Sequence, residues 1–204
     1  MIGNALAWLA RLISGARAFW LEPPDTPGQR VYFGNHSSHL DFIVIWSALS
    51  AEERRRTRPV AGADYWNRGA IRRYLADRVF NAILINRPAT DRSAASASLS
   101  VAKIAEGMGQ ECSVIVFPEG TRSTDGEVQR FRSGLYHLCQ LKPALDLVPV
   151  YLANMNRILP KGEVLPVPLL GRVIFGAAMR LHPDEDKEAF LERARSALLE
   201  LKDK

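Results

Sequence analysis

Apolar and polar positions along this chain follow two periods in turn. Short β-type runs occur at Val31-Tyr32-Phe33, Pro59-Val60-Ala61, Ala82-Ile83-Leu84-Ile85, Ser113–Phe117, Leu145–Leu152 and Arg172–Phe175. Between them, helical spacing is read over Phe42–Leu49, Trp66–Ala76, Asp91–Gly107 and Gly134–Leu141. Glu188–Leu201 closes the chain as an amphipathic helix through Phe190, Leu191, Ala194, Ala197, Leu198 and Leu201. Ser50–Arg58 reads as a charged loop. Strands alternating with helices predict an α/β fold with a mainly parallel central sheet and helices on both faces. Ala82–Ile85 is apolar throughout, as a strand buried on both faces is. Leu99, Ala102 and Ile104-Ala105 mark the core side of the Asp91–Gly107 helix.

The first residues have a different pattern. On a helical wheel Ile2, Leu6, Leu9, Ile13, Ala16 and Trp20 form one stripe, with Trp8, Leu12 and Phe19 beside it. Arg11 and Arg17 flank this apolar arc of roughly 160°. Two arrangements fit: a helix lying in a lipid interface with snorkelling arginines, or a first helix packed on the core. Residues 1–21 therefore read as an amphipathic interfacial helix ahead of a domain over 22–204. Polar breaks at Asn4, Arg11, Ser14, Gly15 and Arg17 argue against a membrane span. The absence of a basic leader before the apolar start argues against a secretory signal. Glu22–Gly28 is a Pro/Gly connector.

Composition narrows the partners. The 204 residues suffice for one domain with a single core, and 47% hydrophobic content describes a globular chain. A net charge of +5 suits an anionic partner: a lipid surface, a phosphorylated substrate, an acidic carrier or nucleic acid. The basic residues are not interleaved with aromatics and no base-reading motif occurs, so nucleic acid is set aside. Arg54-Arg55-Arg56 with Arg58 is either a phosphate contact or a solvated face. Two cysteines, Cys112 and Cys139, without metal-ligand spacing, point to a reducing compartment and to no structural metal or cofactor.

Two stretches carry chemistry. In Val31–Phe42 a β-run stops at Gly34-Asn35, and His36 and Asp41 follow before the next helix. On one continuous helix these two would point about 140° apart at roughly 100° per residue. They meet only if the chain bends between them, and Asn35, Ser37 and Ser38 are residue types that favour a bend. The pair is then a His general base oriented by a carboxylate, or else a helix N-cap box with a solvated histidine. His39 is the rival base, but its spacing to Asp41 splays the two side chains apart. The second stretch is Phe117-Pro118-Glu119-Gly120-Thr121-Arg122-Ser123. Pro118 ends strand pairing, Gly120 admits close backbone approach, and Thr121 and Arg122 offer groups suited to phosphate. Phe131-Arg132-Ser133-Gly134 sets a further arginine before a helix N-terminus, another place for an anion.

Asn35–Asp41 matches N-H-x-S-x-x-D and Phe117–Ser123 reads F-P-E-G-T-R-S, about 80 residues later. Together they resemble the first and third motifs of the glycerolipid acyltransferases typified by 1-acylglycerol-3-phosphate acyltransferases. Ile83–Arg87 resembles the intervening motif that ends in arginine, and Val148-Pro149-Val150 the fourth, over roughly residues 30 to 180 in all. The resemblance implies that His36 takes a proton from an acceptor hydroxyl while Asp41 holds the imidazole. It implies that Arg87 and Arg122 bind the acceptor phosphate, with Glu119, Gly120 and Thr121 shaping the pocket. Backbone N–H groups near Gly120 are candidates to polarise the thioester oxygen. The implied partners are an acyl-CoA or acyl-acyl carrier protein donor, a lysophospholipid acceptor and an anionic membrane surface. The implied location is peripheral, on the cytoplasmic face of a membrane. Many family members carry membrane-spanning segments ahead of the first motif; here an interfacial helix stands in that place. The chain has no G-x-S-x-G elbow, which favours direct attack on the thioester over a serine intermediate. A peripheral lipid-binding protein without turnover and an acyl thioesterase are the competing readings.

Overall fold

The structure, a computed structural model, describes residues 2–23, 28–38, 41–86, 94–123, 125–153 and 171–204. In chain order its strands are β1 (Arg17–Trp20), β2 (Arg30–Gly34), β3 (Thr57–Gly62), β4 (Ile83–Ile85), β5 (Ser113–Val116), β6 (Asp146–Ala153) and β7 (Arg172–Phe175). The helices are α1 (Ile2–Ser14), α2 (Asp41–Ala48), α3 (Ala51–Arg56), α4 (Ala63–Trp66), α5 (Ala70–Tyr74), α6 (Ala94–Met108), α7 (Gly134–Leu141) and α8 (Lys187–Leu199). The strands form one sheet in the order β1-β7-β6-β2-β5-β3-β4. Neighbours run parallel except β6 and β7. The fold is the α/β arrangement expected, with helices on both faces.

Side-chain alternation along the strands divides the core in two. Val31, Phe33, Val114 and Leu147 point to one face, under Val101 and Met108 of α6, Leu135 and Leu138 of α7, and Phe190, Ala194 and Leu198 of α8. Tyr32, Ile115, Val148, Val150 and Phe175 point to the other, under Ala7 of α1, Ile45 and Trp46 of α2, and Phe80. Phe33, Ile45, Phe175 and Phe190 are fully buried, and each contributes about 1.5–3 kcal/mol through the apolar surface it removes from water. Pro149 stands inside the sheet, opposite Phe33 of β2. Its carbonyl accepts from Gly176 N–H at 2.9 Å, just past the end of β7, so its missing donor falls where the ladder stops.

Several local expectations are corrected. The helix read through residue 21 ends at Ser14: Gly15 takes φ 57°, and Arg17–Trp20 pairs with β7 as an edge strand. Trp20 leaves the helical stripe to stack on Phe175 at 4.0 Å. Ser50–Arg58 is not a loop. Ser50 and Glu53 form a reciprocal capping box that starts α3, and β3 begins at Thr57. The Trp66–Ala76 helix is broken at Gly69, φ 88°, into α4 and α5, and α5 runs into a π-turn over Leu75–Val79. Leu99 is 73% exposed, because Val101 and Met108 set the buried face of α6. Arg54 donates to Leu49 C=O at 2.6 Å and to Asn4 Oδ1 at 3.0 Å, tying α3 to the end of α2 and to α1.

α1 meets α2 through its small residues. Ala7 is buried, and Gly3 lies near the Trp46 ring, where an added Cβ would stand 3.4 Å from Cη2. Arg11 donates to the carbonyls of Ser47 and Leu49, supplying partners to the last turn of α2. Ile2, Trp8, Leu9 and Leu12 face outward. The helix therefore packs on the core through one side, with Arg11 engaged there, and turns an apolar face outward on the other. Among the described residues no helix is long and apolar enough to cross a membrane.

Candidate active site

Adjacent parallel strands bring the two sequence motifs together. Val31, Tyr32 and Phe33 of β2 lie opposite Val114, Ile115 and Val116 of β5, so residues following Gly34 and Phe117 leave the sheet side by side. From there β2 continues into α2 on one face, and the chain after β5 reaches α7 on the other. Connections that diverge to opposite faces open a crevice at the C-terminal ends of the strands, where open α/β sheets place their ligands. Gly34 allows the approach: a Cβ there would stand 3.0 Å from Val150 O and 3.2 Å from Ile45 Cδ1.

The bend required between His36 and Asp41 is made by the aspartate itself. Asp41 is the first residue of α2, completely buried, and its Oδ2 accepts the backbone N–H groups of Ser37 and Ser38, both at 2.7 Å. The same oxygen accepts from His36 Nδ1 at 2.9 Å. A carboxylate oxygen has no proton to give in this arrangement, so Nδ1 carries the hydrogen and Nε2 presents its lone pair. The helix N-terminus adds a favourable field for the negative charge. The ring of His36 lies flat on Phe117, centroids 4.2 Å apart at 13°, which fixes its second degree of freedom. The His36 side chain remains 18% exposed.

Glu119 locks the two loops to each other. Its Oε1 accepts from His36 N–H at 2.8 Å and its Oε2 from Gln129 N–H at 3.1 Å. Burial pushes its carboxyl above the usual carboxylate range, with the two N–H groups opposing. Ser123 N–H donates to His36 C=O at 2.7 Å, so His36 is clamped on both sides of its own backbone by the Phe117–Ser123 loop. On the far flank, Asn35 donates to Leu152 C=O at 3.0 Å and accepts Leu152 N–H at 2.8 Å, its side-chain amide standing in for a strand residue.

The expected phosphate pocket is placed only in part. Arg122 precedes the clamping Ser123, is half-buried, and among the described residues has no ion pair or hydrogen bond. Thr121 is exposed beside it, and Arg87 and His39 lie outside the described residues. Gly120 N–H donates to Phe117 C=O at 3.0 Å, so it is engaged rather than aimed at a thioester oxygen. Arg132, read as a helix-terminal anion site, donates from Nε to Glu119 C=O at 3.1 Å and buttresses the loop instead. Asn35 and Phe117 were legible only as turn and strand residues. Their roles depend on which neighbours the sheet supplies.

Gly120 takes φ 77°, and a Cβ there would stand 2.6 Å from Arg132 Nε. We expect Gly120→Ala to lower stability by about 1–2 kcal/mol from the left-handed backbone alone. The displaced arginine adds to this. Thermal melts of Gly120→Ala with and without Arg132→Ala separate the two, because removing the arginine relieves the contact but not the backbone strain.

The fold and site together define an α/β protein with a mainly parallel sheet and a histidine held by a buried aspartate at the C-terminal ends of its strands. The comparisons narrow the class. The Acyltransferase family model matches residues 22–153, and the chain belongs to that family. It is 30% identical over 177 residues to a 1-acyl-sn-glycerol-3-phosphate acyltransferase of Limnanthes alba, covering 83% of this chain and 56% of that protein. It is 29% identical over 199 residues to the human 1-acyl-sn-glycerol-3-phosphate acyltransferase alpha, covering 92% of this chain and 62% of that one. The chain thus spans little more than half the length of these relatives. The crystal structure of the 1-acyl-sn-glycerophosphate acyltransferase PlsC of Thermotoga maritima shares the fold at TM-score 0.72 and 17% identity, over 99% of this chain and 78% of that one.

Proposed function

We propose that this protein transfers a fatty acyl group from an acyl thioester, acyl-CoA or acyl-acyl carrier protein, to the free hydroxyl of a lysophospholipid. The acceptor we infer is 1-acyl-sn-glycerol-3-phosphate, giving phosphatidic acid. The observation that carries this reading is the His36–Asp41 pair, with Nδ1 held by Oδ2 and Nε2 left as the available base. His36 Nε2 accepts the proton of the acceptor hydroxyl as its oxygen attacks the thioester carbonyl. The ester carbon–oxygen bond forms as the carbon–sulfur bond breaks, and the imidazolium then gives its proton to the departing thiolate, leaving a thiol and a neutral His36. Asp41 stabilises that imidazolium and keeps the ring in register. Arg122, with Arg87, binds the acceptor phosphate, and Gly120 and Thr121 line the approach. The outward apolar face of α1 seats the protein peripherally on an anionic membrane, where the acceptor resides.

The test is to incubate the protein with lysophosphatidate and a radiolabelled acyl thioester of each type. Labelled phosphatidate from either donor supports transfer. Free acid in place of phosphatidate means a thioesterase, and no turnover of any donor means a binding protein.

A further inference from the structure

The helical layer that contains α1 carries a second outward-facing apolar surface. Six of the eight exposed large apolar side chains on described helices belong to α1 and α5, while α6 and α7 carry one each, Leu99 and Leu141. On α5 these are Ile71 at 77% exposure and Tyr74 at 50%, three positions apart and therefore on one face. The inner face of the same stretch is committed elsewhere, through Leu75, Ala76, Val79 and Phe80 to the core. Phe80 packs edge-on against Phe42 and Trp46 of α2, the helix on which α1 also packs. α1 and the Leu75–Phe80 stretch that follows α5 thus pack into the same core cluster, over one face of the sheet.

Around Ile71 and Tyr74 the stretch from Ala63 to Val79 exposes Arg68, Arg72, Arg73 and Arg78, against the acids Asp64 and Asp77. Asp77 is partly answered by Arg73, 3.8 Å away. Arg72 lies over the Tyr65 ring at 4.2 Å, which holds its guanidinium in place beside the apolar pair. An isolated exposed isoleucine needs no explanation. An isoleucine and a tyrosine amid an excess of arginine, in the same helical layer as the apolar face of α1, present the two components that an anionic bilayer binds: area for the acyl boundary and charge for the headgroups.

We propose that α5 and its flanking arginines form a second lipid-contact surface that works with α1 to seat the protein on an anionic membrane at two points. The proposal extends the membrane-seated reading above. Two-point contact fixes orientation as well as affinity, so the crevice at the strand ends is held at a set angle to the layer that supplies the acceptor.

The test measures partition of the full chain onto vesicles of phosphatidylcholine alone and of phosphatidylcholine mixed with phosphatidylglycerol. We expect Ile71→Ser/Tyr74→Ser to weaken partition on both by about tenfold. We expect Arg68→Gln and Arg78→Gln to weaken it roughly fivefold each on the anionic vesicles and to leave the neutral ones unchanged. Combining the α5 changes with Trp8→Ser/Leu12→Ser should weaken it further than either set alone. Unchanged partition of the α5 variants overturns the proposal, as does a charge effect that is equal on both vesicle types. If instead these variants partition normally but bind acyl carrier protein more weakly, the surface belongs to that acidic protein and the proposal fails. Partition needs no turnover, so a failure of the acyltransferase reading is detected separately by the assay above. All substituted residues are exposed, and circular dichroism verifies that each variant remains folded.

Discussion

Replacing His36 with alanine lowers acyl transfer by about 10²–10⁴-fold, the worth of a positioned general base, while the protein stays folded. The structure explains why the two effects separate at this position. His36 serves the fold through its backbone, whose N–H donates to Glu119 and whose C=O accepts from Ser123; an alanine keeps both. The side chain contributes the stack on Phe117, about 0.5–1.5 kcal/mol, and the bond to Asp41. After the substitution Asp41 Oδ2 still accepts from Ser37 and Ser38, so no buried carboxylate is abandoned. Asp41→Ala is a poorer test, because it would release those two N–H groups and unfold the turn together with the chemistry. The measurement is kcat and KM for both substrates, with a melting curve alongside. A His36→Ala protein that retained more than about a tenth of the turnover would remove the histidine from the reaction.

Replacing Glu119 with glutamine costs about 2–4 kcal/mol of stability, on the basis of buried backbone donors losing a charged acceptor. In a chain of this size that is a melting temperature lower by roughly 5–15 °C. The carboxylate satisfies His36 N–H with one oxygen and Gln129 N–H with the other. Glutamine can offer only one acceptor and sets an N–H₂ against the second donor, so isosteric shape does not rescue it. Activity falls as well, because His36 loses a clamp. The contrasting outcome is a raised KM for the acceptor at an unchanged melting temperature, which would mean that Glu119 touches substrate rather than backbone. The pH dependence follows from the raised carboxyl. Its folded-state value lies above the ordinary 4.5, so the folded chain holds this proton more tightly than the unfolded chain. Stability from this group is fullest at low pH and declines as pH rises through that interval.

Much of the fold is legible in the sequence. The six β-runs read from the sequence are all strands, because β-branched apolar runs bounded by Gly, Pro and Asn have few other low-energy conformations. The requirement that the chain bend between His36 and Asp41 followed from helical geometry alone. What failed was where local pattern and tertiary demand disagreed. Arg17–Trp20 continues a helical stripe in sequence, yet the free edge of β7 captures it as a strand. Glu119 is assigned to the pocket by the family resemblance, and nothing in its local sequence shows that it is buried. It is buried because two neighbouring loops present it with N–H groups.

From its sequence alone, this chain determines its elements and their residue types: strands from alternation and branching, helices from period and caps, a histidine and an aspartate at a fixed spacing. Those are local properties, governed by interactions within a few residues. The meeting of Asn35–Asp41 with Phe117–Ser123 was decided only by the sheet, which set β2 beside β5 and sent their connections to opposite faces. Strand order is a contest among long-range pairings, and its outcome depends on the whole core at once.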